Sequence, residues 1–147
     1  MTSAHTGFTA LIGTWRTRGT IVDDEAAADG ADITGQDRYE WLGDRFVVHT
    51  ADVSVAGRPQ HGLEIYTLDG SAFEATAYTD DGSVETVTGS FDGEGIYRAG
   101  NDVSRVTLRA RDATMTARWE IRREGEWKPW MDMAFHRIED REASGPS

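Results

Sequence analysis

The chain has 147 residues, within the roughly 100–200 expected of one domain, and it lacks cysteine, which excludes disulfides, thiolate metal sites, iron–sulfur clusters and a catalytic thiol. Acidic residues outnumber basic ones by 26 to 15, and the net charge of −11 makes nucleic acid and anionic membranes poor partners. A hydrophobic share of 38% and a charged share of 28% suit a globular chain, and no apolar run approaches the roughly 18 residues of a membrane span. With no signal peptide visible, the expectation is a soluble cytoplasmic protein.

Met1 to Thr6 reads as a loose tail, and Phe8-Thr9-Ala10-Leu11-Ile12 as one helical turn plugging an end. The expected division is a flexible tail over 1–7, one domain over 8–139 and a second flexible tail over 140–147. Strands are expected near 13–22, 33–42, 45–55, 59–68, 71–80, 83–91, 94–99, 102–110, 113–122 and 126–138, each dense in Thr, Val, Ile and aromatics. Gly43-Asp44, Gly57-Arg58-Pro59, Asp69-Gly70, Asp81-Gly82, Asp92-Gly93 and Glu124-Gly125 supply the turns between them. The segment 23–32 is the one long loop.

No segment keeps a 3.6-residue apolar period. Met115, Ala117, Trp119 and Ile121 alternate with Thr116, Arg118, Glu120 and Arg122, the pattern of a half-buried antiparallel strand. About ten such strands joined by tight turns form a meander. Left open, it would carry two raw edges, and closure removes them. The fold class expected is therefore all-β, a single up-and-down antiparallel barrel. Ten strands enclose more width than their own side chains fill, so geometry implies a cavity.

Leu11-Ile12-Gly13-Thr14-Trp15 opens the first strand, and Arg137 stands late in the last. This arrangement resembles the lipocalin-like (calycin) barrels. The resemblance implies that Trp15 packs across the closed end and that Arg137 lies over its ring, a cation–π contact of roughly 0.5–2 kcal/mol. Tyr39-Glu40-Trp41 through Gly43 into Arg45-Phe46-Val47, then Gly57-Arg58-Pro59 and the closing run Trp130 to Arg137, resemble the nitrobindin-like branch and its sister family of bacterial proteins. Nitrobindins hold haem through a histidine that follows a proline in the last strand. Here Pro129 is followed by Trp130, whose indole nitrogen only donates, so no haem bound in that manner and no other cofactor is expected.

The remaining candidates are scattered. Asp37 alternates with Tyr39 and Trp41. Facing inward, it would be a desolvated carboxylate suited to acid–base catalysis; the simpler reading starts the strand in solvent there. His49 and His61 flank one hairpin. In one register His49 faces Glu64 and His61 faces Asp52, on opposite faces; in the other both histidines share a face and line the cavity. His5 and His136 read as solvated, and no metal site is expected because three ligands do not converge. In the last strand, apolarity points Met131, Met133 and Phe135 inward, whereas the resemblance points Trp130 and Asp132 inward. A bulge after Pro129 would reconcile the two.

A small apolar ligand, aromatic or polycyclic, is the expected partner, gripped by Tyr39, Trp41, Met115, Trp119 and Trp130 and oriented by Asp37, His49, His61 and Asp132. The alternative is a cofactor-independent isomerase, cyclase or lyase that folds its substrate in the cavity with Asp37 or an inward histidine as acid or base. A homodimer through outer strand faces is compatible with either.

Overall fold

The computed structural model describes residues 2–22 and 31–138. The expected C-terminal tail, and the expected long loop up to residue 30, lie outside the described residues. One helix, α1 (Ala4–Thr9), precedes ten strands: β1 (Gly13–Ile21), β2 (Ala31–Leu42), β3 (Phe46–Val55), β4 (Arg58–Asp69), β5 (Ala72–Thr79), β6 (Val84–Phe91), β7 (Tyr97–Gly100), β8 (Ser104–Arg111), β9 (Thr114–Arg123) and β10 (Glu126–Ile138). Each strand pairs antiparallel with its predecessor, and β1 pairs with β10 to close the barrel. The closing ladder runs from Thr14 opposite Ile138 to Ile21 opposite Met131. Among the described residues no helix is long and apolar enough to cross a membrane.

The turns follow local chemistry. Ala56-Gly57 and Glu124-Gly125 each place two consecutive residues at positive φ (52° and 82°, 51° and 81°), the signature of two-residue hairpins whose twist matches the strands. The segment before β7 departs from expectation. Asp92 Oδ1 accepts from the backbone N–H groups of Glu94 (2.8 Å) and Ile96 (3.0 Å), so 92–96 is a turn and β7 starts at Tyr97 rather than near 94.

The start of the chain also departs from expectation. Residues 4–9 are helical rather than a tail, because Ser3 caps the helix through the Thr6 N–H (3.1 Å) and Ala4 N–H donates to the Gly70 carbonyl (2.8 Å). Ala4, Gly7 and Phe8 form its buried face, at helical spacing. Gly7 has no room for a Cβ against the Phe91 ring. His5 is not simply solvated: its ring stacks on Trp41 at 4.4 Å.

Phe8 drives α1 into the barrel end, with ring centroids 4.6 Å from Tyr66, 5.2 Å from Phe73 and 5.1 Å from Phe91. Trp15 is fully buried beside it, and its Nε1–H donates to the Leu11 carbonyl (2.9 Å). The Arg137 guanidinium lies 4.2 Å from the Trp15 ring centre and donates to the carbonyls of Ile12 (2.6 Å) and Ala10 (2.9 Å). One arginine thus covers the indole and ties the link between α1 and β1 to the end of β10. The filled end leaves the remaining interior space toward the opposite pole.

Candidate ligand cavity and its charged wall

A cavity of about 200 Å³ occupies the barrel interior. Most of its wall is apolar: Ile33, Val53, Val106, Leu108, Trp119, Met133 and Phe135 contribute inward side chains from five strands. The polar groups are concentrated on β2, β3 and β4, where Asp37, His49 and Glu64 come together.

Strand register brings them there. His49 lies opposite Tyr39 on β2 and opposite Glu64 on β4. The two-residue turn at Ala56-Gly57 selects this register, the first of the two alternatives, so His49 and Glu64 point inward while Asp52 and His61 point out. Asp37 shares the inward face of β2 with Tyr39, and it is 6% exposed rather than starting the strand in solvent.

The side chains form one continuous hydrogen-bonded chain. Thr17 Oγ1–H donates to Asp37 Oδ1. Asp37 Oδ2 lies 2.6 Å from His49 Nε2, and Glu64 Oε1 lies 3.1 Å from His49 Nδ1. Tyr66 donates to Glu64 Oε1 at 2.5 Å. The Tyr66 hydrogen is thereby committed, so in the 3.0 Å contact between hydroxyls Tyr97 donates to Tyr66. The Tyr39 ring lies parallel to the imidazole at 4.1 Å and fixes its plane.

Both His49 ring nitrogens face carboxylate oxygens, which calls for a proton on each. Burial works to lower the His49 pKa, but the hydrogen bonds and charges of Asp37 and Glu64 outweigh it and raise the value to about 9. The ring is an imidazolium at neutral pH. Burial, reinforced by nearby negative charge, pushes the Tyr39 and Tyr66 hydroxyls well above their ordinary range, and burial does the same to Tyr97, so all three stay protonated. With two carboxylates and one imidazolium the wall carries one net negative charge. The side chains of Asp37, His49 and Glu64 are 8%, 15% and 19% exposed, which withdraws their charges from most solvent screening.

Of the other residues expected at the site, Tyr39 and Trp119 line the cavity. The rest do not. Met115 is buried opposite Phe135, but at the start of β9 within the filled end. Trp41 sits beyond the cavity at the end of β2, under His5. His61 is on the outer face, paired with Asp52. Asp132 also faces out, in a bidentate pair with Arg118 (2.8 and 2.9 Å). The ladder between β9 and β10 shifts between Pro129 and Met131, so a bulge is present; it turns Met131, Met133 and Phe135 inward and leaves Trp130 without a ladder partner. The Trp130 ring meets Trp119 edge-on at 6.4 Å. Nothing at this position fits an iron ligand, since the residue after Pro129 is a donor-only indole outside the cavity lining. Among the described residues no group of three or more His, Asp or Glu could hold a metal ion.

Glu64, Tyr66 and Tyr97 also line the cavity, and none of them stands among the residues expected there from the sequence. The one signal was the cross-strand pairing of Glu64 with His49, which is legible only once the register is known.

No family model matches the chain, and no curated protein matches it. Solved structures do. Rv2717c from M. tuberculosis superposes with a TM-score of 0.75 at 14% identity, covering 90% of this chain and 98% of that one. A de novo designed fluorescence-activating β-barrel gives a TM-score of 0.52 at 15% identity, over 94% and 100% of the two chains. A redesigned barrel, mFAP1, whose structure holds DFHBI, gives 0.52 at 13% identity over 89% and 98%. At these identities the likeness is one of fold alone, and in this chain that fold is a closed, ten-stranded, up-and-down antiparallel β-barrel with one short N-terminal helix.

Proposed function

We propose that this chain is a calycin-type barrel, similar to the nitrobindin-like branch but without its haem ligand, that binds one small apolar or aromatic molecule in its interior. The observation that carries the reading is the cavity of about 200 Å³ with a largely apolar wall and a single cluster of polar groups on one side. Its size decides the ligand class. It exceeds the roughly 150 Å³ of an apolar cavity that admits benzene and falls below the roughly 300–1,000 Å³ of pockets for drug-sized molecules. That volume suits a one-ring aromatic best. The DFHBI bound by the similarly folded mFAP1 supports the idea that such a barrel can bind a small aromatic compound.

Trp119 is the tryptophan that lines the cavity, which gives a direct readout. Nitrobenzene is expected to quench tryptophan fluorescence saturably, and Trp119→Phe to lose the saturable part while keeping an aromatic wall. Quenching that rises linearly without saturation would count against interior binding.

The charged wall favours a second reading, a cofactor-independent isomerase, cyclase or lyase, because it sets ionisable groups against the cavity. Asp37 has its two oxygens engaged by Thr17 and His49. In that reading it positions His49, and the carboxylate that meets the substrate is Glu64.

A further inference from the structure

The ligand class can be narrowed further, on the basis of the binding function proposed above. Glu64 lines the cavity, and both of its side-chain hydrogen bonds among the described residues, with His49 and from Tyr66, fall on Oε1. Oε2 is therefore the acceptor left for a molecule in the cavity. A carboxylate accepts up to about four hydrogen bonds, and one held in low-dielectric surroundings gains more from a donor than it would in water. The same wall disfavours anions. Asp37, His49 and Glu64 together keep one net negative charge, and no lysine or arginine is among the described residues that line the cavity. An aromatic acid would bring a second uncompensated negative charge into a site that excludes most water.

We propose that the cavity selects a one-ring aromatic carrying an un-ionised hydrogen-bond donor, of the phenol or arylamine class, whose donor rests on Glu64 Oε2 while its ring lies between Trp119 and Phe135. The apolar wall supplies affinity for the ring, and Glu64 supplies discrimination. A ligand that covers this acceptor without offering it a donor binds less tightly, because the acceptor is then desolvated without a partner.

The test is calorimetric titration of the whole protein near pH 7 with three ligands of similar shape: p-cresol, p-xylene and 4-methylbenzoate. The expected result is p-cresol binding at least about tenfold tighter than p-xylene, with 4-methylbenzoate not binding. Glu64→Gln removes the net charge and is expected to shrink the preference for p-cresol severalfold and to admit 4-methylbenzoate. Equal affinity for p-cresol and p-xylene, or tightest binding of 4-methylbenzoate, would overturn the assignment of ligand class while leaving interior binding intact. Failure of all three to bind would overturn both.

Discussion

His49→Leu is expected to lower the unfolding free energy by about 3–5 kcal/mol, the range for removing one member of a buried ion pair. The substituted side chain has a similar volume, so the loss is electrostatic rather than a packing defect. Asp37 and Glu64 would remain, largely buried and without the cation between them. At this chain length the thermal midpoint should fall by about 10–15 °C.

The pH dependence gives the same group a second signature. The native His49 pKa is raised to about 9 from an ordinary 6.5, so its contribution is complete below pH 6.5 and is lost as pH climbs through 9. Over that interval the unfolded chain releases a proton that the folded chain keeps, and the wild type should lose roughly 3 kcal/mol of stability. Denaturant titrations at a series of pH values check this. The variant should lack that alkaline slope, and a slope unchanged by the substitution would show that another group titrates.

Trp15→Ala is the second large effect, expected to cost about 3–5 kcal/mol, the range for truncating a buried large aromatic. The indole is fully buried and fills the closed end. Its loss also removes the hydrogen bond to Leu11 and leaves the Arg137 guanidinium without the ring beneath it. Trp15→Phe separates these contributions: it keeps an aromatic face for Arg137 and gives up the indole N–H and part of the volume, for an expected loss of about 1–2 kcal/mol. Circular-dichroism melts of both variants rank them. Equal, small losses would mean that the arginine-covered indole does not hold the end closed.

Much of the barrel could be read from the residues because each strand carries its own period-two pattern and each turn its own backbone demand. Ala117, Trp119 and the turn at Glu124-Gly125 needed no tertiary knowledge. The site was less legible, for identifiable reasons. His49 faces the cavity because of the parity of one two-residue turn, and apolar residues on both faces of β3 fitted either choice. Trp41 looked like a cavity residue by alternation with Tyr39, but the helix starting at Ala4 brings His5 onto its ring. Trp130 and Asp132 were misdirected by a single extra residue after Pro129, which resets the faces of β10. Local patterns foretell local geometry; the meeting of Asp37, His49 and Glu64 depends on the register of three strands at once.

Nitrogen-resolved NMR of the His49 ring as a function of pH tests the central feature, an imidazolium held between two carboxylates in the wall of a hollow barrel. The expected spectrum at pH 7.5 shows both Nδ1 and Nε2 protonated, with a midpoint near 9. A neutral ring at that pH, with one bare nitrogen and a midpoint near the ordinary 6.5, would contradict it.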